Sequence, residues 1–189
     1  MKLTLIRHGI TEGNMRRLFY GSTDLPLLPC SVTQLRRMTE LGHYPEAAHY
    51  YTSGMLRTEQ TFRALYGDVP HGVLRDLREI DFGEFEMKRF EELEHDEAFQ
   101  EWISGDNEAN VCPGGESGVQ VTARALRALE PIIARGEDTV IVTNGGVIGG
   151  LMQSWFPAPN GRFSFTPEPG TGYTVEFDGK TPVGMTKVP

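Results

Sequence analysis

Two short apolar runs, each broken by polar groups and glycine, constrain this chain most. The first is Leu3-Thr4-Leu5-Ile6, which breaks at Arg7-His8-Gly9. The second is Thr139-Val140-Ile141-Val142-Thr143, which breaks at Asn144-Gly145-Gly146. Runs this short, the second of them rich in β-branched residues, read as buried strands. Helical patterns alternate with strands over most of the length, which implies a largely parallel sheet covered by helices. The expected fold is α/β: a three-layer sandwich with a mostly parallel central sheet, helices on both faces and a helical or loop lid. In open sheets of this kind, ligands bind outside the carboxyl ends of the strands. If the two runs are neighbours, His8 and Asn144 share one crevice.

The other expected strands are 47–52, a short one at Val73-Leu74, and closing strands at Gly172 to Phe177 and Val183 to Val188. A helix is expected from Ser31 to about Gly42, opened by a capping box between Ser31 and Gln34. Another runs from Ser53 or Gly54 to near Gly67. A second capping box, Ser117 with Gln120, opens a third, and a fourth runs from Gly145 to about Phe156. Residues 9–29 read as a loop. Residues 88–103 are acidic, with apolar residues at helical spacing: Phe90, Leu93, Phe99, Trp102 and Ile103. The length of 189 residues fits one domain, 1–189, with about 81–115 as a lid-like insertion.

Composition excludes several classes. The formal net charge of −8 argues against a nucleic-acid or membrane-surface partner. Any charge that attracts an anion must therefore be local. Cys30 and Cys112 lie far apart and outside any CxxC pair, so two reduced thiols are expected and no zinc site. The apolar run at the N-terminus is too short for a signal-peptide core, and none approaches the roughly 20 residues of a membrane helix. The expected location is the cytoplasm. There is no GxxxxGK[ST] loop and no GxSxG elbow, and the glycines of 145–150 lack GxGxxG spacing.

A cation, an imidazole and a glycine at a strand's end make a compact anion-handling unit. Arg57, one turn into the second expected helix, would alone be a surface charge. As a partner for Arg7 it completes a pair of guanidinium groups suited to gripping a phosphate. Free N–H groups of Gly145 and Gly146 at a helix start suit an oxyanion.

The segment from Arg7 to Asn14, RHGITEGN, resembles the signature of the histidine phosphatase superfamily. That family includes cofactor-dependent phosphoglycerate mutases and small phosphomonoesterases such as α-ribazole phosphatase. Tyr20 to Leu27 resembles its substrate-contacting loop, and Ser53 to Thr61 the segment bearing its second phosphate arginine. Leu77 to Gly83 resembles the segment with its acidic proton donor, and Pro113 to Ser117 the loop before its late helix. The resemblance implies phosphoryl transfer through a phosphohistidine on His8. Arg7 and Arg57 would hold the phosphoryl oxygens, and Glu79 would protonate the leaving oxygen. Asn14, Tyr20, Gly21 and Gly145 would contact substrate. No metal and no cofactor are expected. The implied partner is a small phosphorylated metabolite or inorganic phosphate, and a homodimer is left open.

Two positions depart from the family pattern. The resemblance expects a second histidine where this chain has Asn144. An amide can donate a hydrogen bond to a phosphoryl oxygen, but it carries no charge and exchanges no proton. The expectation is a phosphatase of reduced activity, as a natural or engineered variant. The chain is short for a mutase, so mutase-type transfer and a non-catalytic phospholigand binder stand as alternatives. The second departure is Met87, where small family members usually have glycine after Glu86.

Overall fold

Alternation along β1 (Lys2–Arg7) sorts the core into two layers. Leu3 and Leu5 join Ile141, Val175 and Phe177 in one, packed with Val121, Leu129, Ile148 and Leu151. Ile6 joins Val140 and Val142 in the other, packed with Leu35, Phe62 and Leu65. A sheet that is apolar on both faces needs helices on both, and the computed structural model, which describes residues 1–189, supplies them. On one face lie α2 (Pro29–Glu40) and α3 (Leu56–Tyr66). On the other lie α6 (Gly118–Arg135) and α7 (Gly145–Trp155).

The remaining strands of this sheet are β3 (His49–Thr52), β4 (Gly72–Val73), β6 (Thr139–Thr143), β7 (Gly172–Asp178) and β8 (Thr181–Val188). Their order is β4-β3-β6-β1-β7-β8. The first four run parallel, and β7 and β8 add an antiparallel hairpin beside β1. Ile6 pairs with Val142 and Arg7 with Thr143, so β1 and β6 end side by side. That register brings His8 and Asn144 to the same sheet edge.

Local patterns mislead where a distant partner competes. Residues 9–29 are not merely a loop. Thr11 caps a short helix, α1 (Glu12–Arg16), and β2 (Leu18–Phe19) follows. The capping box expected of Ser31 and Gln34 does not form. Pro29 opens α2, and the Ser31 hydroxyl instead accepts the Ile10 N–H at 2.7 Å. The box of Ser117 and Gln120 forms as expected. Residues 88–103 do not make one helix. β5 (Lys88–Arg89) pairs with β2, then α4 (Phe90–Leu93) and α5 (Glu97–Ile103) are separated by Asp96, whose side chain caps α5. Their apolar residues form a third cluster of Phe85, Leu93, Phe99 and Cys112, packed with Phe19, Phe82, Trp102 and Ile103. Both cysteines are free thiols, Cys30 exposed and Cys112 buried. No helix is long and apolar enough to cross a membrane.

Met87 adopts φ 64°, the left-handed region where a Cβ is penalised by about 1–2 kcal/mol. This explains why glycine suits the position. Met87→Gly should stabilise the chain by up to about 1 kcal/mol, after the entropy that glycine loses on folding. Urea titration checks this, and a lowered midpoint would contradict it.

Candidate active site

The site forms where β1, β6 and the loop after β2 meet. His8 follows β1 and is buried. Its Nδ1 lies 2.7 Å from the Gly9 carbonyl, so Nδ1 carries the hydrogen and donates it. Nε2 is then the ring nitrogen with a free lone pair. Burial, reinforced by the charges of Arg57 and Arg7, holds the His8 pKa well below its usual 6.5. The neutral imidazole is therefore the form present through the physiological range.

A pH prediction follows with a definite sign. The unfolded chain takes up this proton near pH 6.5 and the folded chain only well below it. His8 therefore contributes less to stability as pH falls below 6.5. In kcat/KM, the acid limb due to His8 should lie well under pH 6.5. A profile from pH 4 to 8 tests this, and a His8-dependent inflection at 6.5 or above contradicts it.

Arg57 is fully buried. Its Nη2 donates to the Gly21 carbonyl and Nη1 to the Thr23 carbonyl, each at 2.9 Å. Its guanidinium carbon stands 5.1 Å from the Tyr20 ring centroid, a cation–π distance. Asp24 lies 3.6 Å from Nη1. Arg7 donates from Nη1 to the Pro167 carbonyl at 2.6 Å, while its Nε is buried without a partner. A buried N–H without a partner is rare and marks a place for an acceptor. The two cations supply the local positive charge that the acidic chain lacks elsewhere.

Three glycines allow close approach around these groups, and at Gly21 the neighbour is fixed backbone. A Cβ on Gly145 would come within 2.9 Å of Arg7 Nε, and one on Gly146 within 2.5 Å of Glu79 Oε1. A Cβ on Gly21 would overlap the Ile80 carbonyl. The Gly146 N–H is not free for an oxyanion, because it donates to Glu79 Oε2 at 3.0 Å. Glu79 Oε1 accepts the Ile80 N–H at 3.1 Å. Asn14 Oδ1 accepts the Thr11 N–H at 3.0 Å, and the Asn14 amide nitrogen has no partner within the chain.

Asn144 corrects an expectation. Its Oδ1 accepts from Arg57 Nε at 3.0 Å. Its Nδ2 donates to the Leu77 carbonyl at 3.0 Å and to Ser53 Oγ at 3.3 Å. Both amide hydrogens are thereby engaged, and no donor is left for a phosphoryl oxygen. The residue is buried and braces Arg57 instead. None of the other histidines takes its place: His43 follows the end of α2, and His49 pairs with Glu137, His71 with Glu59 and His95 with Glu94.

Two positioning residues were missed in the sequence. Glu86 accepts the N–H groups of Gly21, Ser22, Thr23 and Phe82, which shapes the loop whose carbonyls hold Arg57. Arg124 donates to the carbonyls of Asp76, Arg78 and Glu79 and pairs with Glu116, clamping the segment that carries Glu79. Nothing in local pattern marks either one, because their partners lie far along the chain.

Residues 3–186 match the family model of the histidine phosphatase superfamily (branch 1). The chain belongs to the histidine phosphatase superfamily. It is similar to the adenosylcobalamin/alpha-ribazole phosphatase of Salmonella typhimurium, 30% identical over 165 residues, covering 84% of this chain and 81% of that one. It is also similar to a 2,3-bisphosphoglycerate-dependent phosphoglycerate mutase of Rhizobium etli, 29% identical over 167 residues, covering 80% and 78%. The alpha-ribazole phosphatase of Shigella flexneri shares the fold, with a TM-score of 0.86 at 23% identity over 96% of this chain and 93% of that one. In this member of the superfamily, the crevice at the ends of β1 and β6 holds Arg7, His8, Arg57 and Glu79 together. The second histidine that the resemblance implied is absent from it.

Proposed function

We propose that the chain is a phosphomonoesterase that hydrolyses a small phosphorylated metabolite through a phosphohistidine on His8. The observation that carries this reading is the state of His8: neutral, with Nδ1 tied to the Gly9 carbonyl and Nε2 open, between two arginines. Similarity to the adenosylcobalamin/alpha-ribazole phosphatase of Salmonella typhimurium supports hydrolysis, and mutase-type transfer remains the second reading.

In the first step the Nε2 lone pair forms a bond to phosphorus as the ester P–O bond breaks. The leaving oxygen keeps that electron pair and takes a proton from the Glu79 carboxyl. In the second step Glu79 takes a proton from water, whose oxygen bonds to phosphorus. The P–N bond then breaks, returning its electron pair to Nε2 and releasing inorganic phosphate. Arg7 and Arg57 hold the phosphoryl oxygens and offset charge in both transition states. Asn14 adds a donor from its amide nitrogen, with Tyr20, Gly21 and Gly145 shaping the walls. Residues 81–115 act as the cover of a single 1–189 domain. Asn144 contributes by bracing Arg57, and turnover is slow because the second charged group is missing.

The protein should release inorganic phosphate from p-nitrophenyl phosphate. Glu79→Gln should slow alkyl phosphates by about 10²-fold or more while p-nitrophenyl phosphate, whose leaving group needs little protonation, slows far less. Equal slowing of both ester classes removes Glu79 from the proton-donor role. No phosphate release by this chain or by its Asn144→His variant leaves the phospholigand-binding alternative in place.

A further inference from the structure

Beside the phosphate crevice lies a cavity of about 330 Å³ whose walls the proposed chemistry does not use. Glu79 and Gly146 are among the residues that line it. That places it where a leaving group protonated by Glu79 must extend. Its walls are aromatic: Phe19, Phe82, Phe99 and Trp102 from the third cluster, with Phe90 and Phe163 also lining it. Phe163 is 72% exposed and Phe90 48% exposed, so two large aromatic rings lie largely in water. A contiguous apolar surface of this kind marks a binding site.

The polar groups in the cavity are also incomplete. Arg162 is more than nine-tenths buried, and its Nη2 bonds Glu108 and Thr122. Its Nε has no partner, and neither does the buried Trp102 Nε1. Both residues line the cavity. Neither nitrogen has accessible surface, so neither is presented to a ligand. Arg162 is the cavity's only cation, and Glu108 already neutralises it. It therefore offers no net charge, and a carboxylate here would lack a counter-ion.

We propose that this cavity binds the leaving alcohol of the substrate, and that this alcohol bears a flat aromatic ring. The ring stacks among the phenylalanines and Trp102 at centroid distances usual for aromatic pairs. This inference rests on the phosphatase reading of the adjoining crevice. It also separates substrates: aryl-bearing phosphate esters fit, and small phosphorylated carboxylic acids do not.

Calorimetric binding of non-hydrolysable phosphonates to the whole chain tests this without needing turnover. Naphthylmethylphosphonate should bind about 30-fold or more tighter than methylphosphonate, in line with the extra apolar area buried. Inorganic phosphate should compete with it. Phe163→Ala, at an exposed position, should cut the aryl preference about fivefold or more and leave phosphate affinity unchanged. Equal affinity for the two phosphonates overturns the proposal, as does aryl binding that phosphate does not displace. A second readout compares 2-naphthyl with phenyl phosphate, whose leaving groups are similar in acidity. A kcat/KM preference for the naphthyl ester supports the assignment, and none overturns it for turnover. Tight, phosphate-competitive aryl binding with no hydrolysis of any ester would overturn the phosphatase reading while upholding the cavity's ligand class.

Discussion

Asn144→His should raise kcat for p-nitrophenyl phosphate by about 10²-fold, since restoring one missing transition-state stabiliser is worth that much or more. The geometry explains why asparagine cannot supply it. Asn144 Nδ2 donates to the Leu77 carbonyl and to Ser53, and Oδ1 faces Arg57 Nε. A histidine can keep the Leu77 bond through Nδ1–H. Its Nε2 then extends beyond the reach of the amide toward the phosphoryl group, where it can carry a charge. The gain should appear in kcat more than in KM, because the added contact strengthens as charge develops. Steady-state kinetics of both forms reads this directly. A rise below about threefold would mean that the missing histidine is not what limits the enzyme. Loss of the Asn144–Arg57 bond opposes the gain, and a weakened affinity for inorganic phosphate in the variant would report that loss.

His8→Ala should lower turnover by at least about 10³-fold, measured in the faster Asn144→His background. The same substitution should abolish acid-labile phosphate on the protein after rapid quenching. The reasons are geometric and electrostatic. His8 is the histidine bonded within the site, its Nε2 is unprotonated, and Arg7 and Arg57 both act on its charge. No other side chain in the crevice combines a free lone pair with that surrounding. Retained turnover, or acid-labile phosphate on another residue, refutes the nucleophile assignment. Replacing His8 removes a neutral neighbour of two like charges, Arg7 and Arg57, rather than a cation, so the fold should persist; circular dichroism of the variant checks that.

Much of this architecture was legible in short windows. The β1 and β6 runs, their glycine-terminated ends and the Ser117 cap all stand as expected, because each depends on neighbours within a few residues. Ser31 shows the limit. Its hydroxyl could cap its own helix, yet Ile10, 21 positions away, takes the bond. Residues 88–103 have helical spacing, but pairing of Lys88 and Arg89 with β2 and the Asp96 cap divide them. Met87 was legible in part: the resemblance marked the position for glycine, and the positive φ supplies the cause.

By itself the sequence marked His8, Arg7, Arg57 and Glu79 as the candidates and pointed to the sheet edge they share. Those assignments follow from residue types at strand and helix ends, which local pattern and family motifs both report. Only the tertiary structure decided how the polar groups are spent. Asn144 turns to Ser53, 91 positions away, and Arg57 to the Gly21 carbonyl, 36 positions away. Glu86 reaches Gly21 across 65 positions. A buried polar group takes whichever partner the packed chain brings within about 3 Å, and that choice is made by the fold rather than by the neighbouring sequence. The same holds for the aromatic cavity, whose walls come from segments far apart in the chain, from Phe19 to Phe163, and meet only in the folded molecule.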